Sequence, residues 1–225
     1  MNIISKKIKI PTTDGYLIYG DTSQNQENKD DLIILVHGLG DNKDNEFFQN
    51  ATNFFCVKNY NIFKFNLYGR NKFSRKITQT PLSTQIKDLG VIIKHFKNDY
   101  KNIHLIGHSL GGYLVLATKE DKYIKNKILW DPSMEPSQIL FPKNYNQKVK
   151  KDLLKVPTIK DLLANSNKSL NLIFAEKGAF RITPQTYIKY LPKKKKIYLI
   201  KKADHIFSKK KDQLELFSMT LKLLK

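Results

Sequence analysis

The sequence predicts an α/β fold with a mostly parallel central sheet. Short apolar segments rich in β-branched residues alternate along the chain with longer segments whose apolar residues recur at helical spacing. The most apolar strand segment, residues 32–36, contains no polar side chain, and therefore fits a strand that is covered on both faces. This alternation is typical of a parallel sheet with helices packed against both of its faces.

The N-terminal segment predicts a β-hairpin. Residues 3–10 alternate partly between apolar and polar side chains, and the pair Asp14-Gly15 is typical of a tight turn. Residues 16–19 predict the returning strand, and the polar residues 22–31 predict a loop. We therefore expect an antiparallel edge at the N-terminal side of the sheet.

The remaining elements follow from two periodicities in the sequence. Helices are predicted where apolar residues recur every three or four positions, and strands where apolar runs are short. After residues 32–36, the predicted strands are residues 62–65, 103–106, 127–130, 170–174 and 197–200. The predicted helices are residues 47–57, 83–96, 110–118, 148–154, 184–191 and 213–224.

The length of the chain predicts one domain. At 225 residues it falls within the size range of a single folded unit, which we place over residues 1–225. Residues 132–169 break the regular alternation, because they contain four prolines and only one predicted helix. We predict that residues 132–169 form a small lid, inserted over one end of the sheet.

The charge of the chain is strongly basic. Forty basic and twenty acidic side chains give a formal net charge of +20. Arginine, which is favoured for bidentate contacts with phosphates and bases, is scarce, and nearly all of the basic residues are lysines. We interpret the lysine runs as solvated surface, and we expect no specific nucleic-acid partner. The charge still favours a weak long-range attraction to anionic membrane surfaces.

The apolar segments predict a cytoplasmic protein. None approaches the roughly 20 apolar residues that a membrane-spanning helix needs, and the first residues lack the apolar stretch of a signal peptide. The single cysteine, Cys56, excludes an intrachain disulfide and a zinc site built from cysteines. We expect no metal and no cofactor.

The clearest chemical motif is Gly-His-Ser-Leu-Gly-Gly, at residues 107–112. It lies between a predicted strand and a predicted helix, which is the context of a G-x-S-x-G nucleophile elbow. In such an elbow the serine occupies a strained turn, so neighbouring positions must lack side chains. The hydroxyl then stands clear of the sheet, at the positive N-terminal end of the following helix. The motif makes Ser109 the candidate nucleophile.

A second motif follows the most apolar predicted strand. Residues 37–40, His-Gly-Leu-Gly, form a turn at which a backbone N–H group can face a reacting carbonyl. The expected pair of donors is the N–H groups of Leu39 and Leu110, which together would form an oxyanion hole. We interpret His37 itself as structural.

A third motif, Ala-Asp-His-Ile-Phe, lies at residues 203–207, just after the last predicted strand. Its histidine, His205, is on the loop that precedes the last helix. Such a loop can fold over the end of the sheet and bring the imidazole to Ser109. We therefore predict that His205 acts as a general base and then as a general acid.

Together these motifs resemble the α/β-hydrolase superfamily, and in particular its serine esterases and lipases, over nearly the whole chain. Residues 66–74 resemble a loop that many small members carry after the next strand. The resemblance implies the α/β-hydrolase fold and a serine hydrolase that cleaves a small carboxylic ester through an acyl-enzyme on Ser109. It also implies a catalytic triad that requires no cofactor and no metal.

The acid of the triad has two candidates. Most members of the superfamily place it after the strand predicted here at residues 170–174, where Glu176 is the nearby acid. Haloalkane dehalogenases and pancreatic lipase place it after the strand that follows the nucleophile helix, which here leads into Asp131. The order Ser109, Asp131, His205 keeps the serine–acid–histidine order of this fold. We predict Asp131 as the acid, with Glu176 as the alternative.

Two further kinds of function are compatible with the sequence. An acyltransferase or a thioesterase would use the same triad with a different substrate. A catalytically impaired α/β-hydrolase scaffold that acts as a basic binding protein would account for the charge and for the missing Asp after residues 170–174. Covalent labelling of Ser109 by a fluorophosphonate distinguishes the scaffold from the enzymes.

Overall fold

The computed structural model describes residues 3–25, 30–119, 121–133, 146–164, 170–178 and 196–225. The strands are β1 (Ile3–Pro11), β2 (Leu17–Asn25), β3 (Asp31–Val36), β4 (Asn61–Phe65), β5 (Asn102–His108), β6 (Ile124–Trp130), β7 (Leu170–Ala175) and β8 (Lys196–Ile200). The α-helices are α1 (Glu46–Val57), α2 (Leu82–Phe96), α3 (Leu110–Ala117), α4 (Gln147–Asp152), α5 (Ile159–Ala164) and α6 (Lys210–Leu224). A 3-10 helix, η1, covers Ile77–Gln79.

One eight-stranded sheet forms the centre of the described structure. Its strand order is β1-β2-β4-β3-β5-β6-β7-β8. The pairs β1–β2 and β2–β4 are antiparallel, and every pair from β4 through β8 is parallel. This arrangement confirms the predicted mostly parallel sheet with an antiparallel N-terminal edge.

The core has two layers, one on each face of the sheet. Because successive strand residues point to opposite faces, Leu32, Ile34 and Val36 of β3 pack on the face covered by α2 and α3. Ile33 and Leu35 pack on the opposite face, against α1 and α6. All five side chains are buried, so β3 is covered on both faces as its apolar sequence predicts.

The second strand is longer than the sequence predicts. The sequence predicts a loop from residue 22, but β2 continues to Asn25. Ser23 is held on both sides, because it pairs with Ser5 of β1 and with Ile62 of β4. The Oγ atoms of Ser5 and Ser23 are 3.2 Å apart, so a hydrogen bond satisfies these polar side chains within the sheet. Tertiary pairing therefore outweighs the polar composition of the segment.

The insertion predicted at residues 132–169 is described in part, and its role as a lid stays a prediction. Its helix α4 is joined to the first turn of α2 by hydrogen bonds. The carboxylate of Asp152 accepts one from the Ser83 N–H at 2.9 Å and one from the Ser83 hydroxyl at 2.6 Å. The Tyr113 hydroxyl of α3 donates to the Pro157 carbonyl at 2.8 Å. The described part of the insertion is thus anchored to the helices on one face of the sheet.

Helix α5, which follows α4, was not predicted from the sequence. It has only six residues, too few to show a periodicity. Its sequence signal is the pair Thr158 and Asp161, which forms a capping box. The Asp161 N–H donates to Thr158 Oγ1 at 3.2 Å, and the Thr158 N–H donates to the Asp161 carboxylate at 3.3 Å. The helix predicted at residues 184–191 lies outside the described residues.

Among the described helices, none is both long enough and apolar enough to cross a lipid bilayer.

Candidate active site

Ser109 occupies a strained turn between β5 and α3. Its backbone angles are φ 54° and ψ −120°, a conformation that side-chain-bearing residues rarely adopt. The turn is closely packed, because a Cβ added to Gly107 would lie 2.2 Å from the Gly111 carbonyl oxygen. A Cβ on Gly111 would lie 2.2 Å from the carbonyl oxygen of Val36. These positions therefore have no room for a side chain, and glycine is required at both. The serine lies at the end of the sheet, where β5 ends.

A chain of two hydrogen bonds joins Ser109, His205 and Asp131. His205 Nε2 lies 2.9 Å from Ser109 Oγ, and His205 Nδ1 lies 2.5 Å from Asp131 Oδ2. The Asp131 side chain is fully buried, whereas 41% of the His205 side chain is exposed. The structure thus brings the predicted nucleophile, base and acid together, and leaves the imidazole partly exposed.

The carboxylate of Asp131 is held by β7. Asp131 follows β6 with φ 39°, and its N–H donates to the Ile173 carbonyl at 2.7 Å. Its Oδ1 accepts a hydrogen bond from the Ala175 N–H at 2.9 Å. A Cβ on Gly178 would lie only 2.1 Å from Asp131 Oδ2. Gly178, which follows β7, therefore leaves room for the Asp131 carboxylate.

Glu176, the alternative acid, has a different contact. Its carboxylate accepts a hydrogen bond from the Lys202 N–H at 2.7 Å, and its own N–H donates to the Ile200 carbonyl at 3.1 Å. None of the hydrogen bonds found in the described residues joins Glu176 to His205. Glu176 therefore fastens the end of β8 to the end of β7.

The loop that carries His205 is braced by its own neighbours. The Asp204 carboxylate accepts hydrogen bonds from the N–H and the hydroxyl of Ser208. Although slight burial raises the pKa of Asp204, the hydrogen bonds from Ser208, a backbone hydrogen bond from Ile206 and the charge of Lys209 together lower it overall. Asp204 therefore holds the loop by local hydrogen bonds.

His108 also holds the loop that carries His205. It is buried beside Phe47 and Phe207, and its Nε2 lies 2.8 Å from the carbonyl oxygen of His205. Burial, together with the neighbouring His205, lowers the pKa of His108 to about 4. The ring is therefore neutral near pH 7, and its Nε2–H donates to that carbonyl. This hydrogen bond was not predicted from the sequence.

The turn after β3 lies against the nucleophile. A Cβ on Gly38 would lie 3.0 Å from the Cβ of Ser109 and 3.5 Å from its Oγ. The backbone that continues into Leu39 therefore passes directly beside the serine. Leu110, whose N–H is the other predicted donor, is the first residue of α3 and follows Ser109 in the chain.

Two rings, the buried His37 and the partly buried Tyr68, hold this turn in place. His37 Nε2 accepts a hydrogen bond from the Leu67 N–H at 3.0 Å, so its Nδ1–H donates to the Gly38 carbonyl at 2.8 Å. Burial lowers the pKa of His37, which favours this neutral form. The Tyr68 hydroxyl donates to the same carbonyl at 3.1 Å and accepts from the Gly40 N–H at 2.6 Å. His37 is therefore structural, as predicted.

A second serine, which the sequence analysis missed, also contacts the nucleophile. Ser133 Oγ lies 3.2 Å from Ser109 Oγ, and the Ser133 N–H donates to the Ser109 carbonyl at 3.0 Å. Its only sequence signal is its position two residues after Asp131, on the same turn.

Sequence comparison places the chain in a family. The sequence model of the alpha/beta hydrolase fold family matches residues 31–173, which is well over half of the chain. The chain therefore belongs to the alpha/beta hydrolase family. A comparison with curated proteins gave no significant sequence match.

Solved structures share this fold at low sequence identity. Est1E from Butyrivibrio proteoclasticus with bound ferulic acid has a TM-score of 0.80 at 16% identity, over 97% of this chain and 100% of that one. The α/β hydrolase GrgF from Penicillium sp. sh18 has a TM-score of 0.81 at 14% identity, over 99% and 98%. An esterase from Pyrococcus furiosus has a TM-score of 0.75 at 19% identity, over 99% and 90%. These similarities establish the fold.

The lowered pKa of His108 predicts a pH-dependent stability. In the unfolded chain a histidine has a pKa of 6.5, so the unfolded state takes up this proton before the folded state, whose pKa is about 4. The stability is therefore complete above about pH 6.5 and is lost as the pH falls towards 4. From pH 7 to pH 5 we expect His108 to reduce the free energy of unfolding by about 2 kcal/mol.

Urea denaturation of the wild type and of His108→Gln at a series of pH values measures this effect. The variant should lose about 2 kcal/mol less than the wild type between pH 7 and pH 5. Above pH 7 the two stability curves should run parallel. Equal losses below pH 7 would show that His108 is not a buried neutral ring.

Proposed function

We propose that this protein is a serine hydrolase that cleaves carboxylic esters through an acyl-enzyme on Ser109. The observation that carries the proposal is the hydrogen-bonded chain from Ser109 through His205 to the buried Asp131, with the serine in a positive-φ turn before a helix. Such a chain is recognised by its geometry and by the roles of its groups.

The hydrogen bonds define a direction for proton transfer. The Asp131 carboxylate accepts a hydrogen bond from the Nδ1–H of His205, which leaves Nε2 unprotonated and facing the Ser109 hydroxyl. As Ser109 Oγ bonds to the carbonyl carbon, its proton passes to Nε2, and the buried carboxylate stabilises the imidazolium. The imidazolium then donates that proton to the oxygen of the leaving alcohol.

Release of the acyl group uses the same residues in reverse. His205 takes a proton from water, whose oxygen bonds to the acyl carbon. The bond between this carbon and Ser109 Oγ breaks, and the proton returns to the serine. Because side chains and backbone groups supply every step, the proposal requires no metal and no cofactor.

The negative charge that develops on the carbonyl oxygen requires donors. We propose the backbone N–H groups of Leu39 and Leu110 for this role. Support comes from the close packing of Gly38 on Ser109, which brings the backbone leading into Leu39 beside the nucleophile. Leu110 opens α3, so its N–H lies at the positive end of the helix dipole.

The comparisons support the class of substrate. Two structural neighbours, one of them from Pyrococcus furiosus, are described as esterases, and another neighbour, Est1E, holds ferulic acid. We propose a small-molecule ester as the substrate of this chain. The single-domain organisation with a lid at residues 132–169, the cytoplasmic location and the lack of a specific nucleic-acid partner stay predictions from the sequence.

The activity is tested by the hydrolysis of p-nitrophenyl esters from acetate to palmitate. We expect turnover by the wild type and a loss of turnover of about a thousandfold or more in Ser109→Ala, because the variant lacks the oxygen that bonds to the acyl carbon. The dependence of turnover on acyl length measures the size of the acyl pocket. Labelling by a fluorophosphonate should likewise occur in the wild type and disappear in Ser109→Ala.

The outcomes separate the alternatives. Labelling without turnover on any ester would favour an acyltransferase or a thioesterase that uses the same serine. The absence of both labelling and turnover would contradict the proposal and favour the basic binding scaffold. For that scaffold, binding to nucleic acid should weaken steeply with salt and survive Ser109→Ala.

The choice of acid predicts different effects for two isosteric variants. Asp131→Asn should lower kcat about 10⁴-fold, because an amide cannot stabilise the imidazolium or hold the required tautomer. Glu176→Gln should keep nearly the full rate, because Glu176 contacts the Lys202 N–H and not His205. Circular dichroism of each variant checks that the fold is retained. A large loss of activity in Glu176→Gln alone would overturn the assignment.

A further inference from the structure

We propose that Ser133 is a further catalytic residue, whose hydroxyl donates a hydrogen bond to the nucleophilic oxygen of Ser109. The inference rests on the proposed function and deepens it. Ser133 Oγ lies 3.2 Å from Ser109 Oγ, which is the atom that bonds to the substrate.

Ser133 belongs to a turn whose three consecutive residues contact the histidine loop and the nucleophile elbow. Asp131, at the start of the turn, is hydrogen-bonded to His205. Pro132 packs on α3 so closely that a Cβ on Gly112 would lie 2.7 Å from its Cβ. The Ser133 N–H donates to the Ser109 carbonyl at 3.0 Å. One short turn therefore positions both the buried acid and a second hydroxyl.

The direction of the hydrogen bond between the two serines follows from proton counting. Ser109 Oγ carries one proton, and in the resting triad this proton is donated to the unprotonated Nε2 of His205. Ser109 therefore has no proton left for Ser133. The proton between the two hydroxyls belongs to Ser133, which makes Ser133 the donor and Ser109 the acceptor.

A donor at this position stabilises the reacting oxygen in both halves of the cycle. When Ser109 loses its proton to His205, negative charge develops on Oγ, and a hydrogen bond to a charged oxygen is stronger than one to a neutral hydroxyl. When the acyl-enzyme is hydrolysed, the same oxygen leaves the acyl carbon and again carries charge. The Ser133 proton stays on Ser133 throughout, so the contribution is electrostatic.

The distance sets the expected size of the effect. Hydroxyl hydrogen bonds are usually about 2.7–2.8 Å long, so the contact at 3.2 Å is weak in the resting enzyme. It gains strength only as charge develops, which lowers the barrier more than it lowers the ground state. We therefore expect an effect on rate of about tenfold, smaller than that of removing an oxyanion-hole donor.

The experiment measures the second-order rate of fluorophosphonate labelling of Ser109, together with kcat and KM for the best p-nitrophenyl ester. Ser133→Ala should reduce the labelling rate and kcat about tenfold and leave KM unchanged. Ser133→Thr keeps the hydroxyl and should restore most of both rates. Ser5→Ala is the matched control, because Ser5 Oγ makes a serine–serine contact of 3.2 Å with Ser23 at the distant sheet edge.

Each remaining outcome overturns the proposal. An unchanged or faster labelling rate in Ser133→Ala would show that the second hydroxyl does not activate Ser109, while the proposed esterase would stand. The same tenfold loss in Ser133→Thr, or in Ser5→Ala, would point to packing instead of a hydrogen bond. A wild type that is neither labelled nor active on esters would overturn both the role of Ser133 and the proposed function.

Discussion

A buried carboxylate is the constraint on which the candidate active site depends. Removing a carboxylate from water is costly unless its oxygens are hydrogen-bonded, and Asp131 is fully buried. The Ala175 N–H satisfies one oxygen, and His205 satisfies the other. The imidazole is therefore held by the same contact that compensates the buried charge, and its second nitrogen is left to face Ser109.

The parallel sheet explains why these groups meet. Strands β3, β5, β6, β7 and β8 all end at one edge, so the turns that follow them converge there. The chain leaves β3 towards β4 on one side and returns to β5 on the other, which makes the ends of β3 and β5 the point where open α/β sheets commonly bind their ligands. The elbow with Ser109 follows β5, and Gly38 of the β3 turn packs against it.

Local sequence predicted the parts of the site that are fixed by short-range sterics. The elbow around Ser109 was predictable because its glycines are required by contacts within the motif. The position of Asp131 at the end of a predicted strand favoured it as the acid, but the sequence could not show that Gly178 makes room for its carboxylate. The hydrogen bond from His108 to His205 joins residues 97 positions apart, and only the fold brings them together.

The elements of the fold that depend on local sequence were also predicted, and those that depend on distant contacts were not. The apolar strand β3 predicted a buried parallel sheet, because a run without polar residues must be covered on both faces. The polar end of β2 was predicted as a loop, because its pairing with Ile62 depends on a strand that lies far along the chain. Helix α5 was missed because six residues are too few to show a period.

The most direct test of the central claim is proton NMR of the hydrogen bond between His205 and Asp131. A short hydrogen bond from an imidazole to a buried carboxylate shifts its proton strongly downfield. The wild type and Glu176→Gln should both show this resonance, and Asp131→Asn should not. A downfield proton that persists in Asp131→Asn, or that is absent from the wild type, would contradict the claim that Asp131 holds the catalytic histidine.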